Sequence, residues 1–253
     1  MKKHLLNLMY PIFVLLFILL IWTIYAYTKK IELICPTPKN VFKEILNYIS
    51  EKNFYIDLKN TLIRATISFI LSFIIAFAMA ILSKMNNVIR KLCFPFLGFI
   101  RGLPTMSILL ILAYSTSAEE RPIIVSLIVL LPLLYSTILG ALDTVSNDII
   151  EMASIYHIKK KDIIFKIYSK EIAKPLIEGM ASSASFNLKL IISAEAISYT
   201  LYSLGKEMSV EKINYETSRL FALTIIVVLL GLLIEMLIRK IGLYFVRWDN
   251  DRN

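Results

Sequence analysis

Histidine and cysteine are almost absent from this chain, with two of each in 253 residues. His4 and His157 lie far apart, and neither an H-E-x-x-H nor a C-x-x-C pattern occurs, which argues against the ordinary zinc and dithiol redox sites. A G-x-x-x-x-G-K-[S/T] phosphate loop is missing too, so the chain does not hydrolyse ATP by P-loop chemistry. There is no G-x-S-x-G nucleophile elbow, and Asp143 and Asp148 are too isolated to form a catalytic cluster. The sequence therefore supplies no catalytic residue and no metal site. Glycine is scarce as well, at 7 residues, and only 19% of the chain is charged. What fills it instead is apolar: 57% hydrophobic residues and a mean hydropathy of +0.69 are too much for a soluble domain of this size. The chain reads as an all-α integral membrane protein.

The formal charge of +9 sits in short Lys/Arg clusters beside apolar runs. A nucleic-acid surface would gather them on one basic face with interleaved aromatics, so lipid headgroups and membrane orientation account for the charge better. About 20 mostly apolar residues cross a bilayer, and six stretches approach that standard. The first occupies residues 1–28 and lacks the short core and small-x-small cleavage site of a secretory signal, so it reads as an uncleaved span. The others are 57–82, an interrupted stretch at 94–114, 122–142, 178–199 and 218–238. With both termini inside, the inner segments hold 15 Lys/Arg against 8 outside, the sense of the positive-inside rule. Cys35 and Cys93 then fall on opposite sides of the bilayer and cannot pair. Between the first two spans, residues 29–56 form an outer loop. Cys35-Pro36-Thr37-Pro38 stops a helix there, and Val41, Phe42, Ile45, Leu46 and Ile49 then recur at helical spacing, predicting a short amphipathic surface helix. Residues 57–248 form the core, and 249–253 a cytoplasmic tail.

A cytoplasmic loop that only joined two spans could be a few residues long. This chain instead places EMASIYHIKKKDIIFKIYSKEIAKPL, residues 151–176, inside an inner segment running from about 143 to 177. Glu151 to Tyr156 predicts one short helix, His157 to Lys161 an elbow, and Asp162 a cap for a second helix. Lys166, Lys170 and Lys174 follow Asp162 along one face of that second helix. Such a segment suits either a groove on a partner protein or the headgroup layer.

Ionisable and helix-breaking residues inside the spans mark candidates for a translocation path. Lys189 shares a helical face with Ser193 and lies near Asn187. Glu195 is roughly 240° around the helix from Lys189, so it is expected to tie the outer end of its span to the following loop or to another helix, with gating as the sharper alternative. Arg101-Gly102-Leu103-Pro104 breaks the third span, making Arg101, Pro104 and Met106 candidates for the wall of a path. Glu235 precedes Arg239 by four residues and predicts an edge ion pair.

Several motifs together resemble one family. Glu151, Ala153 and Ile167 match at the spacing of the cytoplasmic E-A-A loop of permease subunits of ABC importers, although His157 stands at the glycine position and Ser169-Lys170 at the Leu-Pro. Ile34-Cys35-Pro36-Thr37-Pro38 with Val41, Phe99-Ile100-Arg101-Gly102-Leu103-Pro104, Ile192 to Ser198, Leu230-Gly231 and Arg247-Trp248 are similar, in order and spacing, to segments of the nitrate/sulfonate/taurine-type permeases. The resemblance implies a type I importer (MetI-like) transmembrane domain in a bacterial cytoplasmic membrane, with a gated path for a small anionic or zwitterionic solute. It implies as partners a second copy of the permease, a pair of separate ATPases that bind ATP and Mg, and an extracytoplasmic solute-binding protein, with no cofactor in this chain. On the same basis Glu151, Ala153, Ser154, His157, Lys159, Lys160 and Lys161 are expected to meet the ATPase. The alternative is an ion-coupled carrier or channel without an ATPase, which predicts paired intramembrane acids or inverted repeats; neither is visible. A lipid-acting membrane enzyme would need clustered acids or histidines at one membrane edge, and the sequence has none.

Overall fold

The computed structural model describes residues 2–29, 32–158 and 168–246, and within them every regular element is a helix. In chain order these are α1 (Lys2–Lys29), α2 (Pro38–Ser50), α3 (Lys52–Met85), α4 (Asn87–Gly102), α5 (Thr105–Leu112), α6 (Arg121–Asp143), α7 (Asn147–Ile155), α8 (Ser169–Ser198), α9 (Leu204–Ile213) and α10 (Thr217–Phe245). The amphipathic outer helix is α2, begun by the Thr37 hydroxyl accepting from the Asn40 amide and by Pro38 in its first turn. The expected second cytoplasmic helix falls largely outside the described residues, which resume at Tyr168 as the chain enters α8.

Among the described residues, α3, α6 and α10 are single helices long and apolar enough to cross a membrane. The interrupted third span is a broken pair: α4 and α5 meet at 84° where Leu103-Pro104 ends one helix and starts the next. The remaining two of the six expected spans differ in character. At 28 residues α1 is long enough, and its sequence is mostly apolar from Leu5 to Tyr27. At 30 residues α8 is long enough, but it carries Glu178, Asn187, Lys189 and several serines, and it lies against α3, α6, α9 and α10. Its polar character is tolerated because protein surrounds much of it.

Small residues set the packing. Thr61, Ala65, Ser68, Ser72, Ala76, Ala80 and Ser83 form one buried stripe down α3, while Ile63, Ile67, Ile70, Leu71 and Ile74 point outward. Where lipid is as apolar as leucine, close approach of backbones drives helix association, and such a stripe permits it. Against it α6 lays Leu130, Leu134 and Ile138, and α8 lays Leu188 and Ile191. Gly179 and Gly242 mark other close approaches: a Cβ there would reach Thr137 at 2.1 Å and Ile177 at 2.4 Å.

Ion pairs show that the helices alternate in direction. Near one end, Arg64 of α3 joins Glu119, just before α6, and Glu195 near the close of α8. At the other, Lys84 near the close of α3 and Arg90 near the start of α4 both meet Asp143 at the close of α6. Charge counting assigns the first end to the outside and the second to the cytoplasm.

Candidate functional site

Glu195 is fully buried. Its carboxylate accepts from Thr61 Oγ1 at 2.9 Å, Arg64 Nη1 at 3.0 Å and the Gly205 amide at 3.3 Å. Glycine is required at 205, because a Cβ would fall 2.3 Å from the Ile192 carbonyl oxygen. Arg64 also donates to Glu119 and to the carbonyls of Leu201 and Tyr202. One guanidinium thus joins α3, α8 and two outer loops. The expected tie between Glu195 and another helix is present, to α3 and to the first turn of α9, and Arg64 carries it on to the following loop.

A second outer ion cluster was not foreseen from sequence. Tyr48 Oη donates to Glu211 at 2.9 Å, while Arg219 Nε donates to Glu211 at 2.7 Å and to the Tyr48 oxygen at 3.2 Å, its guanidinium lying 4.3 Å from the Tyr48 ring centroid. Burial holds the Tyr48 phenol well above its usual range. Glu207, on the same α9, is also pushed up, first by burial and then by the neighbouring Glu211 and Asp57 carboxylates. The signal that could have found this cluster is weak, since α9 mixes Lys206, Glu207, Glu211 and Lys212 among its apolar residues, and a buried Glu211 looks in sequence like a surface residue.

The path candidates separate into two groups. Asn187 is buried, accepts from Ser68 Oγ at 3.1 Å and from Ser126 Oγ, and donates to the Ala65 carbonyl at 2.7 Å. With Glu195 it is engaged inside the subunit. Lys189 and Ser193 instead lie on the exposed stripe of α8 that continues through Ser182, Phe186 and Ile197, and Lys189 has no hydrogen bond or ion pair among the described residues. Arg101, Pro104 and Met106 are exposed too. Arg101 Nη2 donates to the Pro132 carbonyl at 2.8 Å, pinning the α4–α5 elbow to the middle of α6, and no carboxylate among the described residues pairs with it. Arg101, Thr105, Ser136 and Phe186 line one open groove, bringing the elbow and the Lys189-bearing stripe of α8 to a common uncovered side. Glu235 and Arg239 form the expected ion pair at 2.9 Å.

At the cytoplasmic end, α7 turns Ala153 inward, where it is buried, and leaves Glu151, Met152, Ile155 and Tyr156 exposed. Burial thus withholds Ala153 from contact outside the subunit. The helix ends with His157 at φ 51°, and the Ile158 amide reaches back to the Ala153 carbonyl at 3.0 Å. This is a Schellman closure, which explains why glycine suits the position; histidine adopts the same left-handed conformation at a cost of about 1 kcal/mol. Ser154 is part of α7, while Lys159, Lys160 and Lys161 lie outside the described residues.

Comparison with known proteins agrees with this architecture. The chain has no significant match among curated proteins. Its structure is similar to the MetNI methionine ABC transporter in an inward-facing native crystal form, with a TM-score of 0.65 at 14% identity, covering 74% of this chain and 95% of that one. A selenomethionine-soaked form of the same transporter gives 0.63 at 14% identity over 75% and 94%. An amino acid ABC transporter with histidines gives 0.56 at 19% identity over 79% and 92%. These likenesses establish the fold. The sequence itself matches the model of one family over residues 72–242, from the small-residue stripe of α3 through α10. The chain, a MetI-like type I importer fold, belongs to the binding-protein-dependent transport system inner membrane component family.

Proposed function

We propose that the chain forms the gated path of an ATP-driven importer for a small anionic or zwitterionic solute in a bacterial cytoplasmic membrane, working as a pair of copies. One observation carries the cargo class: Arg101 and Lys189 lie on the uncovered side of the bundle, within spanning segments, and neither has a carboxylate partner among the described residues. A cation at bilayer depth is costly and needs a water-lined path or a counter-anion. Two copies turned face to face would place such cations around a common axis. An extracytoplasmic binding protein, as the family description implies, delivers cargo to the outer loops. ATP binding occurs in a separate ATPase, which seats against the exposed surface of α7.

The test is uptake of a radiolabelled sulfonate by proteoliposomes holding the chain with its ATPase and binding-protein partners. Uptake that requires internal ATP and persists after ion gradients are collapsed, and that falls at least about tenfold in Lys189→Gln, is the expected result. Uptake that needs a proton or sodium gradient and no ATP would assign the chain to the ion-coupled carriers instead.

A further inference from the structure

A second groove opens between α4 and α6, on the cytoplasmic side of the first. On α4 it is lined by Arg90, Phe94, Leu97, Gly98 and Arg101, which share one helical face over three turns. On α6 it is lined by Ser136, Gly140 and Asp143 among others, and its volume is about 320 Å³. Arg90 and Lys84 are both spent on Asp143, at 2.7 and 2.9 Å, which leaves the mouth of the groove, among the described residues, with one more cation than anion. At the deep end Arg101 has one bond among the described residues, to the Pro132 carbonyl, and that bond neutralises none of its charge. A guanidinium has five donors in a fixed fork that matches an oxyanion.

The two glycines are the second observation. Neither has a positive φ, and a Cβ built on either would meet nothing within 4 Å. In a helix interior each glycine destabilises by about 1 kcal/mol relative to alanine. Backbone geometry does not ask for them, and neither does packing inside the subunit. What they do is keep the groove open alongside an uncompensated cation. Its depth distinguishes among anions. Pro132 lies midway along α6, about 16 Å from either end at the helical rise, so Arg101 is beyond the reach of phosphates in the headgroup layer.

We infer that the α4–α6 groove is a binding site for a small free oxyanion bearing a carboxylate, sulfonate or phosphate group, held at Arg101 and open to the cytoplasm past Arg90. Its meaning rests on the import reading, in which the bound anion is cargo on the inner half of its route. The binding itself can be measured without transport.

The full chain is placed in phosphatidylcholine nanodiscs, and thermal unfolding is followed against methanesulfonate and inorganic phosphate, with chloride holding ionic strength constant. A saturable rise in Tm is expected for the wild type. Arg101→Gln should raise the apparent Kd at least about tenfold, and so should Gly140→Leu, whose Cβ enters open space and which leaves the Arg101 anchor in place. Arg239→Gln, on the far edge of α10, should leave the response unchanged. The site is overturned by an absence of saturable shift in the wild type, or by a shift that survives both groove variants. It is also overturned by a response that requires phosphatidylglycerol, which would identify a headgroup, or by a Gly140→Leu effect confined to pairing of two copies. Anion binding without ATP-driven uptake would sink the import reading and leave the site standing. ATP-driven uptake without an anion response would do the reverse.

Discussion

Glu195 shows what a single ionised side chain does when it is buried among helices. Removing it by Glu195→Ala strands Thr61 Oγ1 and the Gly205 amide and takes one of two carboxylates from Arg64. Breaking a buried pair in this way costs about 3 kcal/mol, so the variant should unfold in detergent at clearly lower temperature, while Glu195→Gln, which keeps the shape and most bonds, loses less. Equal stability of the Ala variant and the wild type would mean that Arg64 and Glu119 alone hold the outer end. Glu195 was legible in sequence because a carboxylate at the end of a span must find a partner nearby. Asn187 was not. Its neighbours on α8 place it beside Lys189, whereas the groups that consume it, Ser68 and Ser126, are 119 and 61 residues away and carry no local sign of the contact.

At the scale of the element, helix ends explain much of the chain's unusual use of residues. With 7 glycines in the sequence, the left-handed closures fall to other residues: His157 ends α7, Tyr199 ends α8 and Tyr215 ends α9, each followed by an amide that reaches back five residues. The spans and their breaks could be read from apolar run length and from Pro104. The outer helix α9 could not, because its inward face includes Glu211 and its outward face includes Ile213. That inward acid has a pH consequence through its neighbour. Glu207 has a folded-state pKa raised by burial and by Glu211 and Asp57, partly offset by Arg219. A raised carboxyl pKa favours the fold while the group is protonated, and this contribution disappears as pH rises through the folded value. Glu207→Gln should therefore be more stable than the wild type at pH 8, with the difference shrinking as pH falls toward and below the ordinary carboxylate range. Thermal unfolding across pH in detergent measures it, and a difference that does not depend on pH would show that Glu207 ionises as it does in water.

For the molecule as a whole, the question is how motion enters a bundle whose two ends are pinned by ion clusters. At the outer end Arg64 joins α3, α8 and two loops. At the inner end Asp143 joins α3, α4 and α6. Among the described residues between Asp143 and α8, the one helix is α7. Ala153 of α7 is buried, as is Val145 just before it, while Met152, Ile155 and Tyr156 are exposed, the last two about three-quarters. Large apolar side chains left in water at the end of a short helix are the kind of surface that partners cover, and on the proposed function it is there that the ATPase would push. Ile155→Asp separates this role from a structural one. An exposed position contributes within about 0.5 kcal/mol to the fold, so expression and unfolding of the isolated chain should be unchanged. A carboxylate at the centre of an apolar contact is poorly tolerated, so co-purification with the ATPase and stimulation of ATP hydrolysis by loaded binding protein should both fall at least about tenfold. Unchanged coupling in a well-folded Ile155→Asp chain would mean that force enters elsewhere, and that α7 is a surface helix without a mechanical part.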